Sequence, residues 1–376
     1  MAEIVTNLRG NFLNNYQDKH MTLKKQTKKL LIIVSLILAS LLLIIFLVAP
    51  YTIGAILYNS VFGVRYQTTD YLKFHIEDFE GLNADRYEFI SNDNQKLVGY
   101  HYYIDDSDSK GVIIMSHGLG GGHNTYMDIA YYFTQNSYDV FAYDSTGNDE
   151  SGGDGINGIP QGVADLDYAI NFVQSIDKLK YLPVMLWGHS WGGYCVSAVL
   201  NYHPEIKAVA SIAGFNQSGD LIRAQGELMV GCFINFMMPY VNSIESIKCG
   251  KYSSITALSG FSNSECGVFI AHSSDDTTVP IQYGYDVYYQ QYSNDSRFKF
   301  TKFDDRGHTN ILYSDAYINY INEFIERMND YFSGTPTHDE RAEYYNEHFD
   351  RSIYCNRLNE ELFESIINFY NLYLEV

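Results

Sequence analysis

The run Gly188-His189-Ser190-Trp191-Gly192-Gly193 stands between an apolar stretch, PVMLW, and a helix-like one, YCVSAVLNY. A serine on a sharp strand-to-helix turn tolerates only very small neighbours two residues before and two after it, because the backbone is strained there and side chains would collide. Gly188 and Gly192 meet that need and form the nucleophile elbow. Such a turn lifts the Ser190 hydroxyl to the C-terminal edge of a sheet, and the start of the following helix aims the Trp191 backbone N–H at an oxyanion formed beside it. A serine hydroxyl is a weak nucleophile, so attack on a carbonyl carbon needs a base to take its proton and an acid to orient the base. His308, in Asp305-Arg306-Gly307-His308, follows the last strand-like run and is the expected base. Ser273-Ser274-Asp275-Asp276-Thr277-Thr278-Val279-Pro280 follows the penultimate run; Asp276, three before the valine of D-x-x-V-P, is the expected acid, with Asp275 as the fallback. The chain order Ser, Asp, His is the one this architecture requires. The second oxyanion donor is expected from His117-Gly118-Leu119-Gly120-Gly121-Gly122, with the Leu119 N–H best placed. His117, His123 and His189 are too dispersed among glycines to suggest a metal site, and no cofactor is expected.

These residues need a scaffold that brings strand ends together. Short apolar runs at 111–118, 138–144, 182–190, 207–215, 267–274 and 298–305 alternate with helical stretches, and Tyr87–Ser91 with Lys96–Tyr103 flank the polar turn Asn92-Asp93-Asn94-Gln95 as a hairpin. Continuous β-branched and aromatic runs suit strands buried on both faces. The expected architecture is therefore α/β, a mostly parallel eight-stranded sheet with helices on both faces. Two intervals break the alternation. Residues 146–160 are a loop by composition, with no helix-start pattern to cradle a phosphate. Residues 216–265, which contain LMVGCFINFMMPYV at 228–241, are expected to form a helical cap over the strand ends, read as a lid on an apolar pocket in preference to a plain packing domain. The catalytic domain spans 86–332, and 333–376 is a C-terminal helical extension whose closing amphipathic segment, Leu358–Leu374, is expected to pack on the body.

Together HGLGGG, YDSTGNDESGG, GHSWGG, HSSDDTTVP and the late GH resemble the α/β-hydrolase superfamily over residues 85–330, and within it the bacterial monoacylglycerol-lipase, lysophospholipase and serine-aminopeptidase-like group. The resemblance implies Ser190, Asp276 and His308 as catalytic triad, Leu119 and Trp191 as oxyanion hole, and an acyl-enzyme released by water. A serine at the elbow sets the chain apart from relatives that use an aspartate there, the dehalogenases and epoxide hydrolases. The sequence departs from the group at Gly147-Asn148-Asp149-Glu150-Ser151, where relatives carry a small-residue G-x-G-x-S pattern, which is expected to alter the rim of the pocket more than the chemistry.

Residues 30–49, LLIIVSLILASLLLIIFLVA, are twenty residues without a charge, enough to cross a hydrocarbon layer of about 30 Å. Lys24, Lys25, Lys28 and Lys29 precede them and the next basic residue is Arg65, so the positive-inside bias puts residues 1–29 in the cytoplasm and the catalytic domain outside it. A retained transmembrane anchor is favoured over a cleaved signal peptide, because the polar leader is long and Pro50 occupies the cleavage position. Residues 50–85 read as tether and lead-in. The 376-residue chain carries a net charge of −20, and since residues 1–29 hold a surplus of four positive charges the remainder carries −24, which argues against nucleic-acid binding. The five cysteines form no framework, and free thiols are expected, Cys232 and Cys249 being the pair near enough in sequence to bond. The expected substrate is an acyl ester or lipid-like molecule. The rival is an aminopeptidase whose cap carboxylates, Glu227 or Glu245, would hold an α-ammonium, and a third reading is a non-catalytic binding module.

Overall fold

The computed structural model describes residues 1–105 and 108–374, in two compact units, Met1–Leu57 and Tyr58–Val376. The first is one extended helical run: α1 (Ala2–Leu43), a π-helical turn at Ile44–Val48, and the start of α2 (Ala49–Phe62). From Asp18 to Phe62 this run is long and apolar enough to cross a membrane.

The second unit is built on eight strands: β1 (Leu82–Ile90), β2 (Lys96–Ile104), β3 (Val112–Ser116), β4 (Asp139–Asp144), β5 (Val184–His189), β6 (Ala208–Ile212), β7 (Gly267–Ser273) and β8 (Phe298–Phe303). They lie in the order β1-β2-β4-β3-β5-β6-β7-β8. β2 runs antiparallel to its neighbours, and β3 to β8 are parallel. Every residue of β3, β5, β6 and β7 is buried, as their unbroken apolar runs require of strands covered on both faces. β8 differs from expectation. It is an edge strand with Lys299 and Lys302 exposed, because one side has no neighbour and the charges keep it from pairing with another chain.

The helices follow as α3 (Met127–Gln135), α4 (Gln161–Val173), α5 (Trp191–Ala198), α6 (Ser218–Val230), α7 (Phe233–Cys249), α8 (Ala257–Asn263), α9 (Tyr285–Tyr292), α10 (Asp315–Tyr331), α11 (His338–His348) and α12 (Glu360–Leu372). One face of the sheet packs against α3 and α12, where Met185, Trp187 and Phe269 meet Phe133, Phe363 and Ile366. The other is covered by α4, α5, α8 and α9. α12 buries its stripe of Leu362, Phe363, Ile366, Phe369 and Tyr370, and the Tyr370 hydroxyl donates to the Leu186 carbonyl at 2.7 Å. The closing segment is thus part of the sheet's covering layer.

Two stretches differ from their sequence reading. Within 50–85 the chain is helical to Phe62, and the residues after it are clamped: the Arg65 guanidinium donates to the carbonyls of Asp149, Ser151 and Gly153 at 2.8, 2.8 and 2.6 Å, while the Asp149 carboxylate accepts the Thr68 amide and hydroxyl. Within 216–265, α8 packs on α5, with Gly260 against the Ser197 carbonyl, so it belongs to the sheet layer and the inserted pair is α6 and α7.

A single buried carboxyl joins that pair to the start of the unit. Glu245 of α7 is 3% exposed and its Oε1 accepts the Tyr58 hydroxyl at 3.1 Å and the Ser218 hydroxyl at 2.6 Å. Burial pushes its acid constant up to about 7. The folded state therefore holds this proton more tightly than the unfolded chain does. The resulting stabilisation is complete below the ordinary glutamate range and is lost as pH rises through 7, an effect on the order of 3 kcal/mol. Thermal melts between pH 4.5 and 8 should show Tm falling across that window, and Glu245→Gln, which keeps an acceptor without the titration, should remove most of the fall. An unchanged slope in the variant would contradict this.

Candidate active site

β5 ends in the elbow, where Ser190 has φ 57° and ψ −116°. That left-handed conformation is costly for any residue with a side chain and persists only where the surroundings enforce it. Here the Ser190 amide donates to the Ile212 carbonyl of the neighbouring strand at 2.8 Å. The two glycines answer to close contacts: a Cβ on Gly188 would run into the Gly192 carbonyl, and one on Gly192 into the Ser116 carbonyl at the end of β3. The second contact also seats the loop after β3 directly on the elbow.

The Ser190 hydroxyl lies 2.8 Å from His308 Nε2, and His308 Nδ1 lies 2.7 Å from Asp276 Oδ2. Asp276 is held by its own turn, since its Oδ1 accepts the amides of Thr278 and Val279, both at 2.9 Å. This is the physical content of the D-x-x-V spacing: the carboxylate closes an Asx-type turn with one oxygen and keeps the other for the histidine. Burial alone would raise the Asp276 acid constant, but the bonds from His272 and His308 and the turn amides overcome it and hold the group well below the usual carboxylate range. Asp275 does not reach the histidine. It is exposed and accepts the Ser273 hydroxyl and, at 2.9 Å, the Gly307 amide, which braces the loop carrying His308.

Trp191 opens α5, so its backbone N–H is one of the unpaired amides of a helix start beside Ser190. Leu119 follows Gly118, on which a Cβ would lie 3.6 Å from the His189 carbonyl. Trp191 thus lies at the elbow, and Gly118, the residue before Leu119, borders it. The arrangement places His308 Nε2 where it can take the proton of the Ser190 hydroxyl.

Three residues at the site were not singled out from the sequence for the part they play. His189, inside the elbow motif, is buried. Its Nδ1 lies 3.0 Å from the Tyr126 hydroxyl and its Nε2 3.1 Å from the His308 carbonyl, while Tyr126 accepts the Gly118 amide at 3.2 Å. Burial, reinforced by the neighbouring His308, lowers the His189 constant to about 3, so the ring is neutral, donating from Nε2 and accepting at Nδ1. A chain of hydrogen bonds therefore runs from Gly118 to the backbone of His308. His272 is the third, its Nε2 3.2 Å from Asp276 Oδ2 and 2.8 Å from the Val279 carbonyl. The two histidines flanking the glycine-rich loop have protein partners: His117 bonds the Gly118 carbonyl at 2.7 Å and accepts the Ser145 amide at 3.0 Å, and His123 pairs with Asp144 at 2.7 Å.

The departure at 147–151 has a structural use. Asp149 grips Thr68, and Glu150 accepts the Tyr100 hydroxyl at 2.6 Å and pairs with Arg86 at 2.9 Å. Cys232 is exposed, Cys249 is buried and both thiols are free.

The family described as serine aminopeptidase, S33, matches residues 107–244 of the chain. Among curated proteins, none matches. An esterase of Pyrococcus furiosus is similar in structure in two crystal forms. In one the identity is 17% and the TM-score 0.50, over 69% of this chain and 95% of the esterase. In the other the identity is again 17% and the TM-score 0.50, over 76% and 98%. At that identity the likeness shows the fold, an α/β-hydrolase sheet with its covering helices.

Proposed function

We propose, from the match to the family described as serine aminopeptidase, S33, over residues 107–244 and the fold shared with the Pyrococcus furiosus esterase, that the chain is a membrane-anchored serine hydrolase that cleaves carboxylic esters through an acyl-enzyme on Ser190. The observation that carries this reading is the unbroken relay from Asp276 through His308 to the Ser190 hydroxyl, at 2.7 and 2.8 Å. His308 accepts the hydroxyl proton at Nε2 as Ser190 Oγ bonds to the carbonyl carbon, and the imidazolium that forms is stabilised by the ionised Asp276. The Leu119 and Trp191 amides donate to the oxyanion, and each such donor contributes about 3 kcal/mol to the barrier reduction in enzymes of this kind. His308 then returns the proton to the departing alkoxide, and a water activated by the same imidazole releases the acid and frees the serine. These steps are complete in the side chains and amides named, so no metal or organic cofactor enters.

The segment 30–49 serves as the transmembrane anchor, with the basic residues before it on the cytoplasmic side and the hydrolase domain outside the cytoplasm. α6 and α7 act as a cap over the site. The Gln225 side chain donates to the Thr278 carbonyl at 2.7 Å, which ties α6 to the turn that holds the acid.

The S33 match supports an aminopeptidase as the second reading. It needs a free carboxylate to bind an α-ammonium. Glu245 already accepts two hydroxyls in a buried setting, and Glu227 is exposed on α6. Ester cleavage is therefore preferred. A panel of p-nitrophenyl esters from acetyl to palmitoyl beside aminoacyl arylamides, run with the full-length protein in detergent, separates the two. Ester turnover with arylamides at background is expected; turnover of arylamides alone would reverse the assignment.

A further inference from the structure

Beside the oxyanion loop lies a cavity of about 340 Å³. Two of its lining residues border the reaction centre: Leu119, and Thr309 next to His308. The loop after β3 supplies part of the remaining wall, and distant parts of the chain supply the rest, among them Leu72 and Phe74 before β1 and Tyr345, Tyr354 and Arg357 after α10. It is not made by the α6–α7 pair.

Most polar side chains of this wall are already engaged within the protein. Arg357 donates to Asp128 at 3.0 Å and to the Tyr313 hydroxyl at 2.6 Å, and its guanidinium lies 4.4 Å from the Tyr313 ring centre and 5.0 Å from those of Phe74 and Tyr317. Its Nε and Asp128 Oδ1 have no partner but are sealed from solvent, so neither reaches an occupant. The Tyr345 and Tyr354 hydroxyls bond each other at 2.7 Å, and the Tyr126 hydroxyl is engaged by Gly118 and His189. With the one cation neutralised by Asp128, the wall attracts no anion. It offers ring faces and edges instead, which favour a planar aromatic partner in offset or edge-to-face contact. A cavity of about 150 Å³ holds benzene, so this one admits a substituted or bicyclic ring. A rigid ring also loses less conformational freedom on binding than a flexible chain.

We infer that this cavity receives an uncharged aromatic group of the ester substrate, attached within a few bonds of the carbonyl that Ser190 attacks. The inference rests on the ester-hydrolase reading and narrows it from acyl esters in general to aryl- or arylalkyl-bearing ones.

The test uses the full-length protein in nanodiscs and two matched pairs: ethyl 3-phenylpropanoate against ethyl hexanoate for the acyl side, and benzyl butanoate against pentyl butanoate for the alcohol side. In one pair the aromatic member should have kcat/KM higher by about tenfold, a difference that a few ring contacts supply. Leu72 is 46% exposed on the cavity rim, so Leu72→Trp should fold and fill the space with its indole. In that variant the aromatic-to-linear ratio should fall to about one, while Leu72→Ala, which leaves the cavity open, should keep the preference. A ratio near one in both pairs overturns the inference, as does a preference that Leu72→Trp leaves intact. Failure to turn over any of the four esters while a fluorophosphonate still labels Ser190 also overturns it, and failure of that labelling as well overturns the hydrolase reading itself.

Discussion

Ser190→Ala should reduce ester hydrolysis by about 10⁴-fold or more in kcat, since loss of the nucleophile in a triad removes nearly all that the triad contributes. The residue stands at φ 57°, a conformation forced on it by Gly188, Gly192 and the bond from its amide to Ile212. None of those contacts uses the hydroxyl, so the variant should fold and melt like the parent. What remains should be the weak catalysis of the oxyanion donors alone. Activity within tenfold of the parent would place the chemistry elsewhere.

Asp276→Asn should cost about 10⁴-fold in kcat while leaving the fold intact. The reason is orientation. The Thr278 and Val279 amides, both at 2.9 Å from Oδ1, require an acceptor there, so the amide oxygen of an asparagine takes that place and its NH₂ is turned toward His308. His308 must then present an unprotonated Nδ1 to this donor and carry its proton on Nε2, where it can no longer accept from Ser190. Asp275→Asn is the informative contrast. That side chain is exposed and bonds Ser273 and Gly307, not the base, so the substitution should lower kcat by less than about tenfold. Equal losses in the two variants would mean that the acid is not Asp276 alone. Both are read from single-turnover and steady-state hydrolysis of the same p-nitrophenyl ester.

The features legible in the sequence are those whose cause is local. A strained turn demands glycines at fixed distances from the serine, and an Asx turn closes on the backbone amides two and three residues after its aspartate. Both leave a pattern within eight residues. Buried parallel strands leave unbroken apolar runs, as β3, β5, β6 and β7 do. β8 was harder because an edge strand carries lysines for a reason set by its place in the sheet, which a single run of sequence does not disclose. The same holds for α8, whose seven residues cover the sheet against α5 although they adjoin the inserted pair.

The parts that were not legible depend on residues far apart in the chain. Tyr126 meets His189 across 63 positions, and nothing about a tyrosine in α3's approach marks it as linked through that ring to the backbone of His308. Arg65 donates to the Asp149 carbonyl and the Asp149 carboxylate accepts from Thr68, bonds that turn a supposed tether into a clamped segment, so one of the acidic residues that depart from the relatives' small-residue pattern helps to hold it. The aromatic cavity draws on residues between Leu72 and Arg357, so its lining comes together only in the folded chain. These long-range pairings are also why substrate preference, unlike the triad, could be argued only from the folded chain.

Activation of the Ser190 hydroxyl is tested by covalent labelling of the full-length protein in detergent with a fluorophosphonate, followed by mass spectrometry of the adduct. Second-order labelling confined to Ser190, absent in Ser190→Ala and slowed by orders of magnitude in His308→Ala, is the result this account predicts. A folded protein that takes up no label, or takes it up at another residue, would contradict it.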